Sequence, residues 1–363
     1  MWHYWALRFL DTTFFRESTP FQAGESVNRV IGSRFPPTMQ TLQGVLRSNL
    51  AAGQGWHPRG VIPWPTTLGD AEHLGELKLR GPYLVRGNEL LFTAPYSQTY
   101  ASGDRGTQMK RVVPGASVRT DLGYVRLPVL DGDGKVYSTG NPAYVNRYGL
   151  YEILNDRFPK SDQIVFPEQL WSTEPRMGIK RDLDTRVVQE GMLYNSAHIR
   201  PNIDLELAVL VNGVTPEWLM AAPRVTAVGG EGRPAAISAK ADYSIANILP
   251  SPPDVPRGTE VIQFTVSLLT PGSFADIKQV AVSGPKEMGV DCMCACLGKA
   301  EYVGGWDLAN NSPRALMPML PSGSTWYYET SQEVYERAVR LHGECIGEKT
   351  TYGFGQIVIG RWG

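Results

Sequence analysis

The sequence predicts an α+β protein built from two successive units, and three observations carry that expectation. Its 38 Gly and 27 Pro, among 363 residues, fall singly between short apolar runs, the pattern of many strands and turns rather than of long helices. The chain opens with a strand, a loop and an amphipathic helix, which is the start of a ferredoxin-like βαβ unit. A second α+β succession begins near residue 203, so the halves are expected to repeat one architecture, although their identity is too weak for a sequence repeat. With 42% hydrophobic residues at this length, the chain can bury a substantial core in two domains.

Trp2 to Leu10 reads as the first strand, and residues 11 to 24 as a loop carrying Phe14, Phe15 and Arg16. After Pro36-Pro37, Thr38 offers an N-cap, and Leu42, Val45, Leu46 and Leu50 recur at helical spacing, so a helix is expected over roughly 38–51. Leu77, Leu79, Tyr83 and Val85 suggest a hairpin between Glu76 and Phe92, and the polar stretch from Ser97 to Gly115 looks mobile. Leu130-Asp-Gly-Asp-Gly-Lys135 reads as a tight turn. A calcium loop needs a bidentate Glu further on, and Asn141-Pro142 follows instead.

Tyr148 to Leu154 has the spacing of a short helix. Ser172 to Tyr194 mixes Arg176, Lys180, Arg181 and Arg186 with Glu174, Asp182, Asp184 and Glu190, and reads as an exposed arm. Ile203 to Val211 is a clear apolar strand. A short helix at 216–221 and strands near 225–228, 235–238 and 260–269 follow it, and after Phe274 come strands within 290–302 and 315–320. A helix from Ser331 to Leu341 and a strand from Gln356 to Trp362 close the chain.

With 35 basic against 36 acidic residues the net charge is -1, so a nucleic-acid surface must be a local patch. Met1 to Leu10 carries only Arg8 and lacks a secretory pattern, and no apolar run reaches the roughly 18 residues of a membrane span. Four cysteines do not make a disulfide framework, which fits a reducing cytoplasm. In an extended strand Cys292 and Cys296 would stand about 13 Å apart, too far to share a zinc ion, so buried strand thiols are the better reading. The alternative is a zinc site completed by His342 and Cys345. No metal and no cofactor are expected.

Tyr352-Gly-Phe-Gly-Gln-Ile-Val-Ile-Gly360 resembles the glycine-rich loop of the RAMP superfamily of CRISPR RNA-binding proteins. Further ordered blocks resemble the third subunit of the Cmr module, a part of the type III-B CRISPR effector complex. They are Leu10-Asp-Thr-Thr-Phe-Phe-Arg-Glu-Ser-Thr-Pro-Phe21, Pro36-Pro-Thr-Met-Gln-Thr-Leu-Gln-Gly-Val-Leu-Arg47, Tyr148-Gly-Leu-Tyr-Glu-Ile-Leu154, Arg176-Met-Gly-Ile-Lys-Arg181 with Gly191-Met-Leu-Tyr194, Val228-Gly-Gly-Glu-Gly-Arg233 and Gly304-Gly-Trp-Asp307. Together they cover nearly the whole chain. Gln98 to Ala116, Pro250 to Gly258 and Cys292-Met-Cys-Ala-Cys296 depart from the pattern.

The resemblance implies two tandem ferredoxin-like domains of the RNA-recognition-motif type with inserted loops and hairpins, over residues 1–200 and 201–363. It implies a non-catalytic subunit that caps one end of the complex and grips the repeat-derived 5′ tag of the CRISPR RNA. The large polymerase-like subunit and the backbone RAMP subunits are the implied partners, and the backbone subunits cut target RNA.

Single-stranded RNA is held by cations on phosphates, planar groups against bases, and amides at glycine turns. The candidate contacts are Arg16, Arg34, Arg47, Arg176, Lys180, Arg181, Arg186, Arg233, Gly353, Phe354 and Gly355. Several have a plainer reading beside this one, though RNA is the favoured reading of the arm. Phe14 and Phe15 suit core plugs better than stacking platforms, Arg47 suits a solvated helix end, the arm a solvated loop, Arg233 a hairpin, and Gly353 and Gly355 a tight turn. The rival function is a metal-independent endoribonuclease of the same superfamily, with His57 as general base.

Overall fold

The computed structural model describes residues 1–17, 30–103, 106–121, 123–132, 143–182, 184–240, 248–254, 260–307 and 312–363; for 101–103, 106, 180–181 and 188–194 it describes the backbone only. Five α-helices are described: α1 (Met39–Gly53), α2 (Arg147–Leu154), α3 (Pro216–Ala221), α4 (Ile277–Ser283) and α5 (Gln332–Val339). None of them is long and apolar enough to cross a membrane.

The first strand, His3–Phe9, is buried along its first five residues, so it needs partners on both edges and cover on both faces. It pairs antiparallel with Leu205–Asn212 on one side and Arg233–Lys240 on the other, and Leu205–Asn212 pairs antiparallel with Lys78–Arg86. The four central strands therefore run in the order fourth, first, third, second along the chain. Helix α1 connects the first to the second, and α3 the third to the fourth.

The second sheet repeats this order. Ile262–Leu268 lies between Ile357–Arg361 and Thr325–Thr330, and Thr325–Thr330 pairs with Cys294–Cys296, all antiparallel. Helices α4 and α5 supply the two connections. The α+β class is thus as expected.

Strand pairing does not break at residue 200. Residues 205–240 pair with the first strand, because the run LELAVLVN is apolar on both faces and must lie inside the first sheet. Conversely, the hairpin Gly106–Thr120 with Gly123–Leu130 lies early in the chain but joins the second sheet through Arg126 beside Cys294.

The stretch expected to be mobile contains paired strands. Gln98–Gly103 and Gly106–Thr120 form an antiparallel ladder, since backbone pairing does not need apolar side chains. The charged arm is a long hairpin of Trp171–Arg181 and Val188–Pro201, with Val30–Ile31 added in parallel. In the turn at 130–135, residues 133–135 fall outside the described residues.

Helix α4 was not legible in the sequence. Of its seven residues only Val280 is buried, leaving no apolar period to read, and its start is set by Asp276, whose side chain accepts from the Gln279 amide at 2.9 Å. Helix α1 was legible, because Leu42, Leu46 and Leu50 enter one core with Trp5, Leu7 and Leu79. Tyr352 and Phe354, from the far end of the chain, enter the same core.

Candidate nucleic-acid interface

The glycine-rich loop is a structural junction. Gly353 and Gly355 have φ of 84° and 72°, the left-handed region that favours glycine. A Cβ on Gly353 would stand 3.0 Å from the Leu79 carbonyl oxygen, and one on Gly355 2.1 Å from that of Ile346. The Gly353 amide already donates to Thr350 O and the Gly355 amide to Pro271 O, at 3.0 and 2.9 Å. Phe354 is 1% exposed. The reading of Gly353, Phe354 and Gly355 as RNA contacts is therefore corrected: close approach is required here by protein backbone, and the amides that would meet phosphates are occupied.

Arg47 is corrected for the same reason. It is buried, with Nε on Leu68 O at 2.7 Å, one terminal nitrogen on Gln43 Oε1 at 2.9 Å, the other on Asp70 O at 2.6 Å, and its plane 5.4 Å from the Trp64 ring. Burial lowers its pKa, yet the guanidinium remains charged. It clamps the 68–70 turn onto α1. Arg47→Ala strands two carbonyls and should cost about 2–4 kcal/mol in a denaturant melt, with no change in the salt dependence of RNA binding.

Two other arginines, Arg16 and Arg34, come together. Residues 15–17 pair with 32–34: the Arg34 amide donates to Phe15 O and the Glu17 amide to Gly32 O, at 2.8 and 3.1 Å, and the Phe15 amide donates to Ser33 Oγ at 2.9 Å. This ladder sets Arg16 and Arg34 on the wall of an open groove of about 650 Å³. The first turn of α1, at Thr38 and Thr41, forms the floor, and Lys299, Tyr302, Gly304 and Gly305 form the opposite wall. Thr38 makes no side-chain cap and the first turn holds no acid, so the helix end presents amides and a partial positive charge.

Gly305 stands close to α1, where a Cβ would meet the Gln40 side chain at 3.4 Å, an ordinary contact. Tyr302 is 58% exposed and Trp306, just beyond, 54%. Arg34 is ion-paired with Glu301, which ties the two walls together. Sequence reasoning missed Lys299 and Tyr302. Their only signal was a lysine and an exposed-type aromatic just before the Gly304-Gly-Trp-Asp307 block.

Arg176 and Arg233 meet at the base of the arm. Arg233 reaches Asp11 at 3.0 Å and Glu231 at 2.7 Å, while Arg176 and Arg200 both hold Glu174, at 2.9 and 2.6 Å, and Arg200 lies 3.7 Å from Asp11. Each guanidinium thus has a carboxylate, and the loop 11–17 runs from this network to the groove. Arg186 sits exposed at the arm's tip with φ of 57°; the side chains of Lys180 and Arg181 lie outside the described residues. Phe15 is a core plug as expected, and Phe14 stacks on His198 at 5.0 Å.

His198 is fully buried, with Nδ1 3.4 Å from Thr12 Oγ1 and Nε2 3.6 Å from Glu231 Oε1 and without a hydrogen bond. Burial holds its pKa below the usual 6.5, against the pull of Glu231. His342 is lowered likewise by burial; its Nδ1 accepts the Ile359 amide and its Nε2 meets Pro250 O, so the neutral ring is the one that fits.

For both, the folded pKa lies below the unfolded one, so the unfolded chain takes up protons first as pH falls. Their contribution is complete above about 6.5 and is lost as pH drops through the lowered values. Thermal melts should show stability falling from pH 7 to pH 5, and His198→Gln with His342→Gln should flatten that slope.

Cys294 and Cys296 are buried in the second sheet, and burial pushes both thiols up to about 12. Among the described residues no group of three or more His, Cys, Asp or Glu is placed to hold a metal ion. His57 is exposed, with Nδ1 accepting the Arg59 amide at 3.2 Å.

The CRISPR-associated protein family Cas_Cmr3 has a model that matches residues 5–362, nearly the whole length. The chain belongs to the Cas_Cmr3 family. The family is that of a RAMP-like subunit of the type III-B Cmr effector, as the sequence blocks suggested. Two cryo-EM chains share the fold. One, from type III-B Cmr-beta bound to cognate target RNA, gives a TM-score of 0.54 at 14% identity over 98% of this chain and 96% of that one. The other, from Cmr-beta bound to cognate target RNA and AMPPnP, gives 0.50 at 15% identity over 89% and 86%. No curated protein matches this chain.

Proposed function

We propose that this Cas_Cmr3-family chain is a non-catalytic subunit of a cytoplasmic type III-B effector that holds the 5′ tag of the CRISPR RNA in the groove between α1 and residues 299–305. The observation that carries the reading is the convergence of Arg16, Arg34, Lys299, the exposed Tyr302 ring and an uncapped helix N-terminus on one open groove. It offers the cations, the plane and the amides that a single strand needs. The arm, with the exposed Arg186 at its tip, is a further candidate contact, and Lys180 and Arg181 belong to it by sequence. The network at its base supports Arg176 and Arg233 as phosphate contacts only where RNA oxygens replace their present carboxylates.

The repeated strand order supports two ferredoxin-like units. The first spans residues 3–240 with 87–204 inserted, and the second spans 262–361. The chain docks on the large polymerase-like subunit and on backbone RAMP subunits.

The test is photocrosslinking of the assembled complex carrying 4-thiouridine in the 5′ tag. Label is expected on peptides containing Arg16 or Lys299–Tyr302. Label confined to other subunits would refute the groove. Purified chain incubated with repeat RNA tests the endoribonuclease alternative: cleavage abolished by His57→Ala would replace the non-catalytic reading.

A further inference from the structure

Helix α2 already has a complete core stripe. Leu150, Ile153 and Leu154 are buried against Val145 and Val358, so packing does not account for the aromatics on its other side. Tyr148 is 65% exposed, Tyr151 43%, and Phe158 in the loop beyond 39%. Tyr148 and Tyr151 stand three residues apart, hence side by side on the helix surface.

Two of these rings are backed by guanidinium groups. Arg157 lies 5.5 Å from the Tyr151 ring centroid and is ion-paired with Glu152, while Arg111 lies 4.8 Å from that of Phe158 and holds Asp156 at 3.0 Å. The loop that carries Phe158 is fixed in turn, because the amides of Asn155, Asp156 and Arg157 donate to carbonyls of residues 151–153. Arg147 and Lys160 are exposed nearby, and Arg361 reaches the Asn155 carbonyl. Five cations therefore surround the helix with four carboxylates, those of Glu152, Asp156, Asp162 and, at the N-cap, Glu89, which accepts from Asn146 Nδ2 at 3.4 Å.

We propose that this α2 face is a second surface for single-stranded RNA, on which unstacked bases continue the ring-on-guanidinium stacks. It rests on the reading of the chain as an RNA-holding subunit but uses none of the groove residues. Rings held flat from behind cost little to order when a base arrives, and the cationic excess attracts the connecting phosphates. A protein hot spot seats its aromatics in a dry pocket. Here they stand on the outside of a helix among charges, which favours nucleic acid.

The experiment is titration of the full chain with a fluorescent single-stranded U20 RNA, comparing wild type, Tyr148→Ala with Tyr151→Ala, and Tyr148→Phe with Tyr151→Phe. All four substitutions are at exposed positions and should leave the melting curve unchanged. The alanine pair is expected to weaken binding about tenfold to a hundredfold, the worth of one or two stacked bases, and the phenylalanine pair to restore it.

Unchanged binding by the alanine pair overturns the proposal, as does failure of the phenylalanine pair to restore it. So does loss of a protein subunit from the assembled complex with RNA binding intact, which would mark a protein-docking face. A Lys299→Ala, Tyr302→Ala variant measured alongside separates the two surfaces. If it binds normally while the α2 variant fails, the groove reading falls and this one stands.

Discussion

Gly355→Ala is expected to destabilise the chain by at least about 3 kcal/mol. A left-handed φ costs an alanine roughly 1–2 kcal/mol, and its Cβ would sit 2.1 Å from the Ile346 carbonyl, forcing apart a strand bridge in which the Ile346 amide donates to Gly355 O at 3.0 Å. Phe354→Ala should cost roughly 3–5 kcal/mol, because a 1% exposed ring inserted into the core of the first sheet would leave a cavity. Against a typical total of about 5–15 kcal/mol, either change endangers folding. Urea melts decide the matter. Wild-type unfolding midpoints combined with weakened RNA binding would mean that the loop contacts RNA after all, and the junction reading would be lost.

Replacing Arg16, Lys299 and Tyr302 together by Ala should give the largest loss of RNA affinity. The two cations act through counterion release, so the slope of log K against log salt should become shallower by about 1.4, or about 0.7 for each phosphate contact on a single strand. Tyr302, if a base stacks on it, adds about 1–3 kcal/mol, a loss that salt does not alter. Arg34 is better left in place, since its ion pair with Glu301 joins the groove walls and its removal would confuse binding with assembly. An unchanged slope across about 50–300 mM salt would remove the groove as the phosphate track.

How much was legible depended on how local each cause was. Helix α1 announced itself because its burial follows the helical period, and strands His3–Phe9, Leu205–Asn212 and Ile357–Arg361 because each holds a short continuous apolar run, as a strand covered on both faces must. Helix α3 was marked by Pro216 at its first position. Helix α4 and the Gln98–Thr120 hairpin carried no such period. One is held by a cap and a single buried valine, the other by strand pairing.

The candidate site divides the same way. Arg16 and Arg34 were chosen for chemistry beside an aromatic loop and a helix start, and both line the groove. Arg47 was chosen on the same grounds, but its helical position turns it inward onto Leu68 and Asp70. Lys299 and Tyr302 went unseen because their role comes from facing α1, some 260 residues earlier in the chain.

The sequence alone determined the α+β class, most of the strands and helices, and the family, since each rests on residue order and local periodicity. Only the tertiary structure decided which strand lies beside which, that residues 205–240 close the first sheet, and that the glycine-rich loop seals a junction while Lys299 and Tyr302 face a groove. The physical reason is that a glycine or an arginine has the same chemistry in core and solvent. Its function is set by what stands a few ångströms away, and those neighbours are brought there by the fold, whether from the next turn, as for Arg47, or from some 260 residues away, as for Lys299 and Tyr302.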